Sequence, residues 1–282
     1  MEIINSQILQ LNPNKKKIFF LLGLYLRRNF ENEHVDRKAT ISAWKNLNIK
    51  KSAYLQVVRM QEGSTMNGYK RAQITGCVEK KYCKICPRRV ATTPHILLTC
   101  PVNKKKQIAK HDLLAEAVYH KLESKFNFNK EIKIRHFRMK QCAILTWNSE
   151  VVSRSYGKFP KKPDVFFRSN WYAIIIDVAI VADHNLNKGY IHKINAYTRL
   201  SQHLREKLRI TTVKIVPVIA SINGLINKQS IQDLQEIGIS IDWKKIMKDI
   251  VIRNMQDLMF YNGVNMKFDE IAGEIEDQTV EE

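Results

Sequence analysis

Residues Ala173 to Ala182 read Ala-Ile-Ile-Ile-Asp-Val-Ala-Ile-Val-Ala, nine apolar residues around one aspartate. Period-two alternation puts Ile174, Ile176, Val178 and Ile180 on one face. Ile175, Asp177, Ala179 and Val181 take the other. Both faces are apolar, the pattern of a central strand covered on both sides. An aspartate inside such a strand is costly unless it is paired, hydrogen-bonded or bound to a cation. The run therefore predicts a buried strand and a buried carboxylate that needs a partner.

The flanking sequence supplies partners. Lys162-Pro163-Asp164 opens a short strand, Val165 to Phe167, and a turn at Ser169-Asn170 makes a hairpin with the apolar run. Asp164 and Asp177 then lie close enough to share one ion, and hard oxygen donors suit Mg²⁺ or Mn²⁺. A helix is predicted over Gly189 to Leu208, with the stripe Tyr190, Ile194, Tyr197, Leu200, Leu204 and Leu208. Lys193, one turn before Tyr197, borders that stripe and can lean toward the sheet. Tyr197 either packs against the lysine or contacts phosphate. A strand (Val213 to Ala220) and helices (Lys228 to Glu236, Asp242 to Phe260) follow, and the alternation predicts an α/β fold with a mixed sheet flanked by helices. Singly, each residue has a blander alternative: Asp164 as a turn cap, Asp177 as an acid satisfied by an amide or Arg168, Lys193 as a solvated lysine.

Charge narrows the partner. The 282 residues carry a net +20. Seven acids follow Lys267, the last basic residue, so the first 267 residues set 47 bases against 20 acids, a net +27. A field of that sign draws in phosphate polymers. Residues 1–75 read as a basic helical segment, with an amphipathic or core helix over Lys15 to Asn29. The run Ile18 to Leu26 mimics a signal peptide, but Arg27-Arg28 end it, and it is too short to span a bilayer. No membrane partner is expected. Residues 127–265 hold the α/β unit, with 127–160 weakly patterned, and the acidic tail 266–282 is expected to be disordered.

Residues 76–126 carry a second motif. Cys83, two residues, Cys86, eight residues, His95, four residues and Cys100 offer three thiolates and one imidazole, a set that fits tetrahedral Zn²⁺. Free thiols with a core histidine are the alternative. Thr93-Pro94 can start a helix carrying His95. Cys77 and Cys142 fit no spacing and are expected to be ordinary buried thiols. Five cysteines in a chain of intracellular character favour metal over disulfides. Tyr82, Arg88 and Arg89 flank the loop. Lys104, Lys105 and Lys106 open a helix predicted to Phe126, with Ile108, Leu113, Leu114, Ala117, Val118 and Leu122 as its apolar stripe. Those bases, with Lys162, are the candidate phosphate contacts.

The order Lys162-Pro163-Asp164, twelve residues, Asp177-Val178-Ala179-Ile180, Asp183-His184-Asn185-Leu186, Lys193, Tyr197, Leu200, then Val216-Pro217-Val218 resembles a known pattern. It is similar to the C-terminal zinc knuckle and restriction-like endonuclease region of early-branching, site-specific non-LTR retrotransposons, which insert in ribosomal RNA genes. The resemblance runs from about Met60 to Tyr261. It implies a PD-(D/E)xK fold and a nuclear, metal-dependent endonuclease that nicks target DNA. Asp164, Asp177 and Lys193 then carry the catalytic roles with Tyr197 assisting, and the knuckle grips DNA, or RNA. His111-Asp112 also resembles the family, without an assigned chemistry. The lysine usual two residues after the second acid is replaced by Ala179, and the family's Glu and Lys in the helix are His192 and Ala196 here. The family's reverse transcriptase has no counterpart motif, so the chain corresponds to the C-terminal piece of such an element. A degenerate nucleic-acid-binding remnant is the competing reading, and an inert fragment a third.

Overall fold

The computed structural model describes residues 29, 31–45, 51–128, 137–140, 143–153, 157–159 and 161–264. The helix expected over Lys15 to Asn29, the acidic tail and Cys142 lie outside the described residues, apart from Asn29 itself.

The apolar run forms β6 (Tyr172–Val181), whose neighbours are β5 (Val165–Arg168) and β7 (Thr212–Ser221). β1 (Phe137–Lys140) and β2 (Ala143–Trp147) extend the sheet beyond β5, giving the order β1-β2-β5-β6-β7. Among the described strands, only the β6–β7 pair is parallel. A separate ribbon joins β3 (Val152–Ser153) to β4 (Gly157–Lys158). β1 to β4 fall in the stretch that the sequence left unpatterned. β7 is a sheet edge, which explains how it carries Pro217, a residue without a ladder donor.

Among the described residues the α-helices are α1 (Arg37–Lys45), α2 (Lys51–Gln61), α3 (Gly68–Thr75), α4 (Lys104–Lys125), α5 (Leu186–Leu208), α6 (Lys228–Glu236) and α7 (Trp243–Tyr261). One face of β6 (Ile174, Ile176, Val178) buries against Leu114, Val118 and Leu122 of α4, with Leu234 of α6 and Ile250 of α7 in the same cluster. Ala173 and Ile175 on the other face pack with Tyr197, Leu200 and Leu204 of α5. Each such buried side chain is worth about 1.5–3 kcal/mol, so burial on both faces explains a strand that is apolar throughout. α4 thus belongs to the core of the sheet as well as to the cysteine motif before it.

α5 starts three residues before the expected Gly189 and crosses over to the parallel β7. Gly189 lets its first turn approach the sheet: a Cβ there would meet Val181 Cγ1 at 3.3 Å. Two stripe residues come out differently from the helical pattern. Ile108 and Leu208 are 48% and 41% exposed: Ile108 faces a groove beside β6, and Leu208 is the last residue of α5. Among the described residues, no helix is long and apolar enough to cross a membrane.

Candidate active site and metal centre

Register brings the two acids together. Val165 pairs with Ile176 in the antiparallel β5–β6 ladder, so Asp164, one residue earlier, stands across from Asp177, one residue later. Their carboxyl groups interact directly. Asp164 Oδ2 also accepts from the Val178 amide at 2.7 Å. From α5, Lys193 Nζ reaches Asp177 Oδ2 at 2.8 Å. The sequence-predicted trio of Asp164, Asp177 and Lys193 therefore occupies one place. Arg168, at the far end of β5, is not Asp177's partner.

Tyr197 is 2% exposed, and its hydroxyl donates to the Lys162 carbonyl at 2.9 Å. The same hydroxyl stands beside Asp177, so the ring packs under the carboxylate pair. Burial first, and then Asp177, push its phenol well above the ordinary range.

His111, to which the sequence assigns no chemistry, joins the site. From α4, its Nε2 meets Asp164 Oδ2 at 3.1 Å and its Nδ1 meets Asp112 Oδ1 at 3.1 Å. Burial favours the neutral ring, but the two carboxylates outweigh it and push the imidazole up to about 9. Burial alone would likewise raise Asp164. Hydrogen bonds from His111 and Asp177, the His111 charge and the Val178 amide hold it down to about 2. Asp177 goes the other way, up to about 7, through burial and the neighbouring Asp164, with Lys193 offsetting part of the rise. Two acids in contact cannot both ionise cheaply without a proton or a cation between them. Of the two, Asp177 is the one that holds its proton to higher pH.

Lys193 and His111, which bond the two aspartates, line a groove of about 420 Å³ beside the pair. Val178 and Ala179 line it from β6, and Lys104 and Gln107 lie along α4. Ala179 thus lines the groove where the usual motif places a lysine, while Lys193 comes in from the helix instead. Leu98 also borders a second groove of about 600 Å³, lined by Tyr82, Arg88, Arg89, His184 and Asn185. Among the basic residues singled out in the sequence, Arg88, Arg89 and Lys104 front these grooves. Lys162 is exposed near Asp164. Lys105 and Lys106 instead open onto a cleft between α4 and α7, where Lys106 is held by Asp257 at 3.0 Å and sits over the Phe260 ring.

The cysteine motif closes on itself. The Tyr82–Val90 bridge and the Cys83 amide, bonded to the Arg89 carbonyl at 2.9 Å, fold Cys83 and Cys86 into a tight loop. A single helical turn, His95–Thr99, carries the histidine, and Cys100 follows. All four side chains are buried, with ligand atoms within 4.8 Å of one another and Cys86 Sγ 3.2 Å from His95 Nε2. Zn–S bonds of about 2.3 Å put ligand atoms roughly 3.5–3.8 Å apart, so a cation needs little tightening. His95 Nδ1 faces Thr99 Oγ1 at 3.2 Å, the outer contact that fixes a metal-binding ring. The cluster fits a metal ion such as zinc. Cys77, expected to be buried, is half-exposed in the turn after α3.

α4 grips this cluster. Asn103, Gln107 and Lys110 donate to the carbonyls of Ile96, Cys100 and Leu97 at 3.1, 3.0 and 3.4 Å. Lys110, 3% exposed, also meets Asp257 at 2.9 Å and Asn254 at 2.7 Å on α7. No signal in the sequence marked Lys110, because one lysine in a basic helix looks solvated. No protein-family model matches the chain, and no curated protein matches it.

Proposed function

We propose that the chain is a divalent-metal-dependent DNA endonuclease of the PD-(D/E)xK type, derived from a non-LTR retrotransposon and acting in the nucleus, with a zinc knuckle beside the site. The observation that carries this reading is Asp164 facing Asp177 across a hairpin, with the Lys193 ammonium 2.8 Å from Asp177. A hairpin, then a helix, then a parallel strand around that pair is consistent with the restriction-endonuclease arrangement.

Asp164 and Asp177 would hold a Mg²⁺ or Mn²⁺ ion. When bound, such an ion neutralises the scissile phosphate and lowers the pKa of a bound water. The chain's own residues do the rest. Lys193 presents an ammonium at the groove wall, where charge builds up on phosphate oxygens in the transition state. Tyr197 and Lys162 fix the approach of the loop that carries Asp164. The exposed Arg88, Arg89 and Lys104 bind the backbone of DNA, or of RNA, along the two grooves.

Supercoiled plasmid with Mg²⁺ or Mn²⁺ tests the reading. Parent protein converts it to open circles. Asp164→Ala and Asp177→Ala lose nicking and keep binding. Equal cutting by parent and variants contradicts the assignment. Binding without cutting by the parent favours the degenerate nucleic-acid-binding remnant, a reading that His192 and Ala196 also support.

A further inference from the structure

A cation shared by two carboxylates needs each one to present a defined oxygen. Asp164 has one oxygen already committed: Oδ2 takes the Val178 amide at 2.7 Å and His111 Nε2 at 3.1 Å. The amide comes from the neighbouring strand and the imidazole from a helix on the other side of the groove. One donor alone lets a carboxylate swing about its Cβ–Cγ bond, whereas two from different elements fix its plane. Oδ1 is then the oxygen left for Asp177 and an ion.

The imidazole is itself held. Asp112 Oδ1 takes Nδ1 at 3.1 Å, and the neighbouring Lys110 ties this turn of α4 to Leu97, Asn254 and Asp257. We propose that His111 is a positioning residue for the divalent-cation site: through Nε2 it locks Asp164 so that Oδ1 faces the ion shared with Asp177. This rests on the reading of the carboxylate pair as a cation site. Partners that orient a ligand are commonly worth about 10–100-fold in metal affinity.

Two variants of matched chemistry separate positioning from mere packing. In His111→Gln the amide nitrogen reaches the place of Nε2 and can still donate to Asp164. In His111→Asn it reaches only the place of Nδ1, toward Asp112. The zinc-loaded chain is titrated with Mn²⁺ by calorimetry, with Asp177→Ala as the blank, and melting without Mn²⁺ checks the fold. His111→Asn is expected to weaken Mn²⁺ binding about tenfold or more, and His111→Gln to restore most of it. Asn and Gln variants that bind Mn²⁺ equally, whether like the parent or weakly, overturn the role of His111 and leave the carboxylate pair standing. A parent that binds no more Mn²⁺ than Asp177→Ala overturns both.

Discussion

Asp164 and Asp177 face each other across the β5–β6 hairpin, yet their carboxyl groups are driven in opposite directions, to about 2 and about 7. His111 and the Val178 amide stabilise charge on the first, and burial beside that charge suppresses it on the second.

The asymmetry sets a pH dependence. In the unfolded chain an aspartate loses its proton near pH 4. Folded Asp177 keeps its proton to about pH 7, so the folded state binds the proton more tightly. Between about pH 4 and about pH 7, stability of the metal-free chain falls as pH rises. Asp164 has the opposite sign: its contribution is present above about pH 4 and is lost as pH falls toward 2. Thermal melts from pH 4 to 8 should show the first slope, which Asp177→Asn lessens and Mg²⁺ opposes; His111, pushed up to about 9, adds a fall above about pH 6.5 that the variant keeps. Nicking should rise as pH increases through about 7, because Mg²⁺ must displace that proton.

Lys193→Ala should lower nicking by about 10²–10³-fold, the usual cost of losing one charge-stabilising donor, with DNA affinity nearly unchanged. Ala179 lines the same groove. Adding Ala179→Lys to Lys193→Ala should therefore recover part of the rate, which single-turnover nicking would measure.

The cysteine cluster should hold a single zinc per chain, measurable by elemental analysis. Removing it, or replacing Cys86 by Ser, releases the carbonyls gripped by Asn103, Gln107 and Lys110. Metal binding to such a site contributes directly to folding. Hydrogen exchange should then quicken in residues 83–100 and the first turns of α4, while β6 stays protected.

Lys110→Met should be destabilising, but by less than the roughly 3–5 kcal/mol of a wholly unpaired buried charge, since Lys106 stays 3.0 Å from Asp257. Adding Asp257→Leu should recover most of the loss in denaturant melts.

Much of this arrangement was legible in the sequence because it is written locally. The apolar run around Asp177 and the turn at Ser169-Asn170 fix strand, hairpin and register together, and register brings in Asp164. The spacing of Cys83, Cys86, His95 and Cys100 marks a metal cluster by chemistry alone. β1 and β2 were missed because they lie far from the apolar run and have little alternation of their own. The role of His111, and Lys110 altogether, are illegible for another reason. Their partners lie 53 and 147 residues away, and nothing in a basic amphipathic helix says which of its polar residues face inward.

The central claim is that Asp164 and Asp177 grip one divalent ion between them. Anomalous scattering from a crystal grown with Mn²⁺ tests it most directly. The account predicts a manganese peak within bonding distance of both carboxylates and in reach of the Lys193 side of the groove. A crystal that shows the two carboxyl groups hydrogen-bonded to each other with no peak there, at saturating Mn²⁺ and neutral pH, contradicts it.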